Sequence, residues 1–192
     1  GLGYITGVVG IGNNFKSTVL HYMMLSAMSR FPASRANTYD TEMNIQHSRL
    51  QSLSYSFEVF KEKRIIDDGT WKITDKSVYY GNEWYEVWKK FAKDKITNAK
   101  KYMVDLPMLD TRKGDGTLIK VPYPTFTEVD SFSEFETEDV ANIQDNNELG
   151  ESGGNTIHMR QGLAKIRFLS DIPKLISKSN NPMLLTAHIG KD

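Results

Sequence analysis

Cysteine is absent from the 192 residues, so neither disulfides nor thiolate metal sites can form, and the composition suits a reducing cytoplasm. Net charge is absent as well. Lys plus Arg and Asp plus Glu both number 24, so the broad basic signature of a nucleic-acid binder is missing and any such contact must be local. No apolar run approaches the roughly 20 residues that cross a bilayer. The opening residues carry no signal-peptide pattern, which predicts a cytoplasmic protein with no membrane partner. The four histidines, His21, His47, His158 and His188, show no zinc-ligand spacing with carboxylates. There are no internal repeats. The length fits one domain spanning 1–192, and the abrupt entry into a first strand and exit after a last one predicts flanking segments.

What the chain does have is Gly10-Ile11-Gly12-Asn13-Asn14-Phe15-Lys16-Ser17, a loop of the Gly-x-x-x-x-Gly-Lys-[Ser/Thr] type with Phe15 in place of the second glycine. In such a loop backbone N–H groups cradle phosphates, the lysine reaches the terminal phosphates and the hydroxyl coordinates Mg²⁺. Nucleotide contact is therefore expected from 10 to 17 and from the adjoining Thr18. Phe15 should turn away from the nucleotide and find apolar cover beneath the helix start. Tyr4 to Val9 reads as a buried strand and Lys16 to Ser29 as a helix, so the bound phosphate sits at a helix N-terminus.

Strands and helices then alternate. Strands are expected at 36–41, 71–80, 125–130 and 183–188. Helices are expected at 44–56, from an Asn82 cap onward, and from 157 to about 169, with a kink or break at Pro173. Trp84, Val87, Trp88 and Phe91 recur at helical spacing and read as core. Two apolar runs flanking a charged tip at 111–116 read as a β-hairpin inserted at 102–122. The stretch 134–155 is acidic and polar, with a Gly-rich mobile loop at its end. The alternation predicts an α/β fold with a mainly parallel central sheet and helices on both faces.

Ligands in such sheets sit at the carboxyl ends of the strands. Four ends carry polar chemistry: Lys16-Ser17, Asp40-Thr41-Glu42, Asp130-Ser131 and Thr186-Ala187-His188. Asp130 follows an apolar residue as a Walker B aspartate does and suits Mg²⁺. Glu42 is the better placed base for an attacking water, although strand alternation gives Asp40 the same nominal facing. His188 suits a γ-phosphate sensor.

In this order the residues resemble the RecA-type recombinase core, in particular the bacteriophage UvsX-like branch, in which Phe can precede the P-loop lysine. The resemblance implies a RecA-like P-loop ATPase using ATP and Mg²⁺. It assigns water activation to Glu42, Mg²⁺ to Asp130 with Ser17, and a sensor role to His188, where the family usually has glutamine or asparagine. Adenine stacking falls to Arg49 or His47. It also implies DNA recombination and repair by a homo-oligomer on single-stranded DNA, contacted through loops near 150–160 and after 188, with Arg160 and Lys165 as nearby cations. A DnaB-type hexameric helicase ring, or a RecA-fold ATP-binding assembly protein that ignores DNA, shares most of these features.

Overall fold

The computed structural model describes residues 4–11, 15–31, 33–146 and 154–189. The chain runs β1 (Ile5–Gly10), α1 (Lys16–Ser29), β2 (Arg35–Asp40), α2 (His47–Ser54), β3 (Trp71–Asp75) and α3 (Gly81–Thr97). It continues as β4 (Met103–Leu109), β5 (Leu118–Pro122), β6 (Thr125–Asp130), α4 (Glu138–Asn146), α5 (Gly154–Ser179) and β7 (Met183–His188). Five strands form one sheet in the order β1-β7-β6-β2-β3, and each pairing is parallel. The expected α/β architecture is present. The hairpin β4–β5 forms a separate antiparallel ribbon, as expected of an insertion. Among the described residues no helix is long and apolar enough to cross a membrane.

Period-2 alternation divides the core into two clusters, one on each face of the sheet. Phe126 and Leu184 pack with Leu20, Met24 and Leu25 of α1 and Leu50 of α2. Val129, Met183 and Leu185 pack on the other side with Trp84 and Trp88 of α3 and Phe168, Ile172 and Ile176 of α5. β6 lies between β7 and β2 and is buried at every position. Glu128 and Asp130 alternate with Val129, so they share the α1 side with Phe126.

Several expectations need correction. β1 is not a buried strand: it lies at the sheet edge, none of its residues is fully buried, and Val9 is exposed. β3 stops at Asp75, whose carboxylate accepts the Ser77 N–H and turns the chain. Asn82 does not cap α3. The N-cap is Tyr80, whose N–H donates to Glu83 Oε2, while Asn82 Oδ1 accepts the N–H of Glu138 at the start of α4. Val87 is exposed, and Tyr85 takes a place in the core beside Trp84 and Trp88. The acidic stretch contains α4, whose first-turn Glu138 and Asp139 complement the helix dipole. α5 runs unbroken through Pro173, because Phe168, Ile172 and Ile176 bury apolar surface on both sides of it.

Gly81 allows one close approach that no other residue would. A Cβ there would lie 2.6 Å from the Glu136 carbonyl oxygen and 2.8 Å from the Phe135 ring. Lys95 of α3 ties the start of β6 to the approach to β7. Its fully buried ammonium donates to Tyr123 O at 2.7 Å, Asn181 Oδ1 at 2.8 Å and Thr125 Oγ1 at 3.1 Å. Burial pushes its pKa down to about 7 from an ordinary value of 10.5. The unfolded chain therefore holds this proton between about pH 7 and 10.5 where the folded chain has released it, and stability from this group rises with pH across that window. Urea midpoints of the wild type and Lys95→Met should diverge from pH 7 to 10, with the wild type gaining on the variant. Parallel pH profiles would exclude the linkage.

Candidate functional site

The parallel register brings the polar strand ends to one edge. Gly10 of β1 pairs with His188 of β7, and Asp40 of β2 with Asp130 of β6. Side-chain hydrogen bonds fix the ends to one another. Thr186 Oγ1 donates to Asp130 Oδ1. Thr41 Oγ1 donates to Ser131 O and accepts the Ser131 N–H, both at 2.8 Å.

A cleft of about 720 Å³ opens at this edge and is lined by Phe15, Lys16, Ser17 and Thr18 together with Glu42, Arg49, Asp130 and His188. Gly12, Asn13 and Asn14 lie outside the described residues. Lys16 is buried, and its Nζ donates to Ile11 O at 2.9 Å and stands 3.4 Å from His188 Nδ1. His188 Nε2 is 2.7 Å from Glu42 Oε1, and the His188 N–H donates to Ser133 Oγ at 2.8 Å. Lys16, His188 and Glu42 thus form a continuous polar chain across the mouth of the cleft. With Lys16 donating to Nδ1, the ring proton belongs on Nε2, facing the carboxylate.

The two candidate bases have different surroundings. Asp40 is buried, with Oδ2 accepting the Ile45 N–H at 2.8 Å and Oδ1 the Glu42 N–H at 3.2 Å. Its carboxylate shapes the turn into α2. Glu42 lines the cleft, and its Oε2 accepts Asn44 Nδ2 at 2.8 Å. Burial alone would raise the Glu42 carboxyl, but the hydrogen bonds it accepts, that from His188 first, outweigh it and hold the pKa below its ordinary value.

Arg49 lines the cleft and its Nη2 donates to Thr18 Oγ1 at 3.0 Å. His47, the other stacking candidate, heads α2 and is not part of the cleft wall. Phe15 departs from expectation. Its side chain is 69% exposed, with no apolar cover, and its backbone is left-handed at φ 54°. That conformation explains why the motif prefers glycine here, since a side chain in the left-handed region costs about 1–2 kcal/mol.

Of the loops expected to meet DNA, residues 147–153 and 190–192 lie outside the described residues. Arg160 is exposed on α5. Lys165 Nζ instead donates to Ser133 O at 2.5 Å, and burial lowers its pKa.

Two polar residues beside the cleft, one of them the His21 that shows no zinc-ligand spacing in the sequence, meet in the fold. His21, one turn beyond Ser17 on α1, places Nε2 at 3.1 Å from Glu128 Oε2, and Thr38 Oγ1 donates to the same oxygen at 2.8 Å. Trp71 Nε1 in turn donates to Thr38 Oγ1 at 2.9 Å. Burial pushes the His21 pKa down, but the charges of Glu128 and Asp130 outweigh it and the net shift is upward. A carboxylate inside a strand, on the same face as Phe126 and two positions before Asp130, is the sequence signal that marks Glu128.

Removing the His188 ring should let burial dominate at Glu42. In His188→Ala the Glu42 carboxyl should titrate at higher pH than in the wild type, as read from side-chain carboxyl chemical shifts. An unchanged titration would show that His188 does not hold that charge. Compared with known proteins, the chain matches no family model and no curated sequence, so its functional reading rests on the geometry of the cleft.

Proposed function

We propose that the chain is a RecA-like P-loop ATPase that hydrolyses ATP with Mg²⁺ and acts as a DNA recombinase, assembling as a homo-oligomer on single-stranded DNA. The observation that carries the ATPase reading is the meeting of Lys16, Ser17, Glu42, Asp130 and His188 in one cleft at the carboxyl edge of a parallel sheet. The donor set fits a Mg·nucleotide. Asp130 Oδ2 is buried without a hydrogen-bond partner beside the cleft that Ser17 lines, and Lys16 presents its ammonium from the start of α1.

In this reading Lys16 binds the terminal phosphates, and Ser17 and Asp130 would hold Mg²⁺, which would supply positive charge beside the phosphates. Glu42 orients the attacking water and takes its proton, its base strength set by His188 and Asn44. His188 touches both Lys16 and Glu42 and so couples phosphate contact to the base. Arg49 borders the cleft where a base would stack. The recombinase part rests on the resemblance of these motifs taken together. A second reading, an ATP-driven assembly protein that does not use DNA, draws on the zero net charge and on Lys165 being committed to a backbone carbonyl.

ATP turnover measured with and without single-stranded DNA separates these readings. Stimulation by DNA, weakening with added salt, supports the recombinase, whereas DNA-independent turnover favours the assembly protein. Glu42→Gln should lower turnover by at least about 100-fold while ATP still binds. Undiminished turnover in that variant would move the base elsewhere.

A further inference from the structure

We infer that His21, Glu128 and Asp130 form a binding site for a divalent first-row transition ion such as Mn²⁺ or Zn²⁺. The three side chains each offer one ligand atom, and these atoms lie within 4.8 Å of one another. All three residues are more than nine-tenths buried. Three of their polar atoms, His21 Nε2, Glu128 Oε1 and Asp130 Oδ2, have no hydrogen-bond partner. Buried polar atoms without partners are costly, and here they belong to three side chains whose ligand atoms cluster.

The His21–Glu128 contact leaves room for a shared ion. Nε2 and Oε2 are 3.1 Å apart, an ion-pair contact. Two ligands bound at about 2.0–2.2 Å to one tetrahedral ion stand roughly 3.3–3.6 Å apart, a few tenths of an ångström more than this spacing. One imidazole and two carboxylates select Mn²⁺, Fe²⁺ or Zn²⁺ over Mg²⁺ and Ca²⁺, which prefer oxygen alone. A dication also balances two carboxylates buried in the middle strand of the sheet.

Outer contacts hold the ligands in place, as metal sites require. Thr38 Oγ1 donates to Glu128 and is itself fixed by Trp71 Nε1. Thr186 Oγ1 holds the other oxygen of Asp130. The Trp71 ring meets the His21 ring edge-on at 5.6 Å between centroids. His21 and Asp130 both border the cleft, which provides an entry path. The site does not require nucleotide, and Asp130 is the residue it shares with the phosphate cleft.

The test uses the nucleotide-free full chain with Mn²⁺ alone. Wild type should bind one Mn²⁺ per chain, and electron spin-echo modulation should report a directly coordinated nitrogen. In His21→Gln the modulation should vanish and affinity should fall at least about tenfold, whereas Ser17→Ala should alter neither. Zn²⁺ should raise the Tm of the wild type and not of Glu128→Gln. Mn²⁺ bound to wild type without nitrogen modulation overturns the site, and this readout needs no variant to fold. So does an absence of binding, or loss of binding in Ser17→Ala, which would put the ion at the phosphate loop instead. None of these outcomes depends on ATP hydrolysis, so the site and the ATPase reading can fail separately.

Discussion

The parallel, in-step register of β1, β7, β6 and β2 is the constraint from which the cleft follows. Because Gly10 stands beside His188 and Asp40 beside Asp130, groups far apart in sequence finish at one edge without any loop having to carry them there. β7 separates the strand that feeds the phosphate loop from the strand that ends in Asp130. That spacing leaves room between Lys16 and Asp130 and puts His188 in the gap. The right-handed crossovers of parallel strands require helices between them, and those helices cover the two faces that make the register stable.

The same arrangement concentrates buried charge in the middle of the molecule. β6 is covered on both faces, yet it carries Glu128 and Asp130 on the side facing α1. An apolar residue at Glu128 would need no hydrogen-bond partner, so a fully buried carboxylate there is a local departure from the apolar core around Phe126. Such departures gather where chemistry is done. Lys95 is a contrasting case: all of its donors meet acceptors, and its role is confined to holding β6 and the start of β7 against α3. The difference between a satisfied buried cation and a group of unsatisfied buried ligands separates a structural clamp from a candidate site.

Sequence reading recovered the elements whose signals are local. The helix 16–29, the strands ending at Asp130 and His188 and the inserted hairpin all announce themselves through spacing or alternation, and each stands where it was expected. The departures have tertiary causes. β1 looked buried because most of its residues are apolar, but exposure depends on what packs over its faces, which the strand itself does not encode. Pro173 suggested a break that packing on both sides overrides. Asp40 and Glu42 share a nominal facing, and only the turn after β2, held by the Asp40 carboxylate, sends Glu42 alone into the cleft. His21 and Glu128 are more than 100 residues apart, so no ligand spacing could reveal their meeting. That contact is a property of α1 lying across β6.

The chain Lys16–His188–Glu42 bears on how a triphosphate would be received in the proposed ATPase. Lys16 satisfies its ammonium with the Ile11 carbonyl and His188 Nδ1, and Glu42 satisfies its carboxylate with His188 and Asn44. Phosphate oxygens carry more negative charge than either Lys16 partner and compete for its donors. Once Lys16 turns to them, Nδ1 loses its donor and becomes the free face of the ring. The ring keeps its hydrogen bond to Glu42 through Nε2 while Nδ1 stands open toward the phosphate side. Glutamine or asparagine, the usual residue of the resembled family, could bridge the same two groups with a shorter, planar amide. In the proposed ATPase His188 therefore ties the position of the base to the contact Lys16 makes, because one rigid ring touches both.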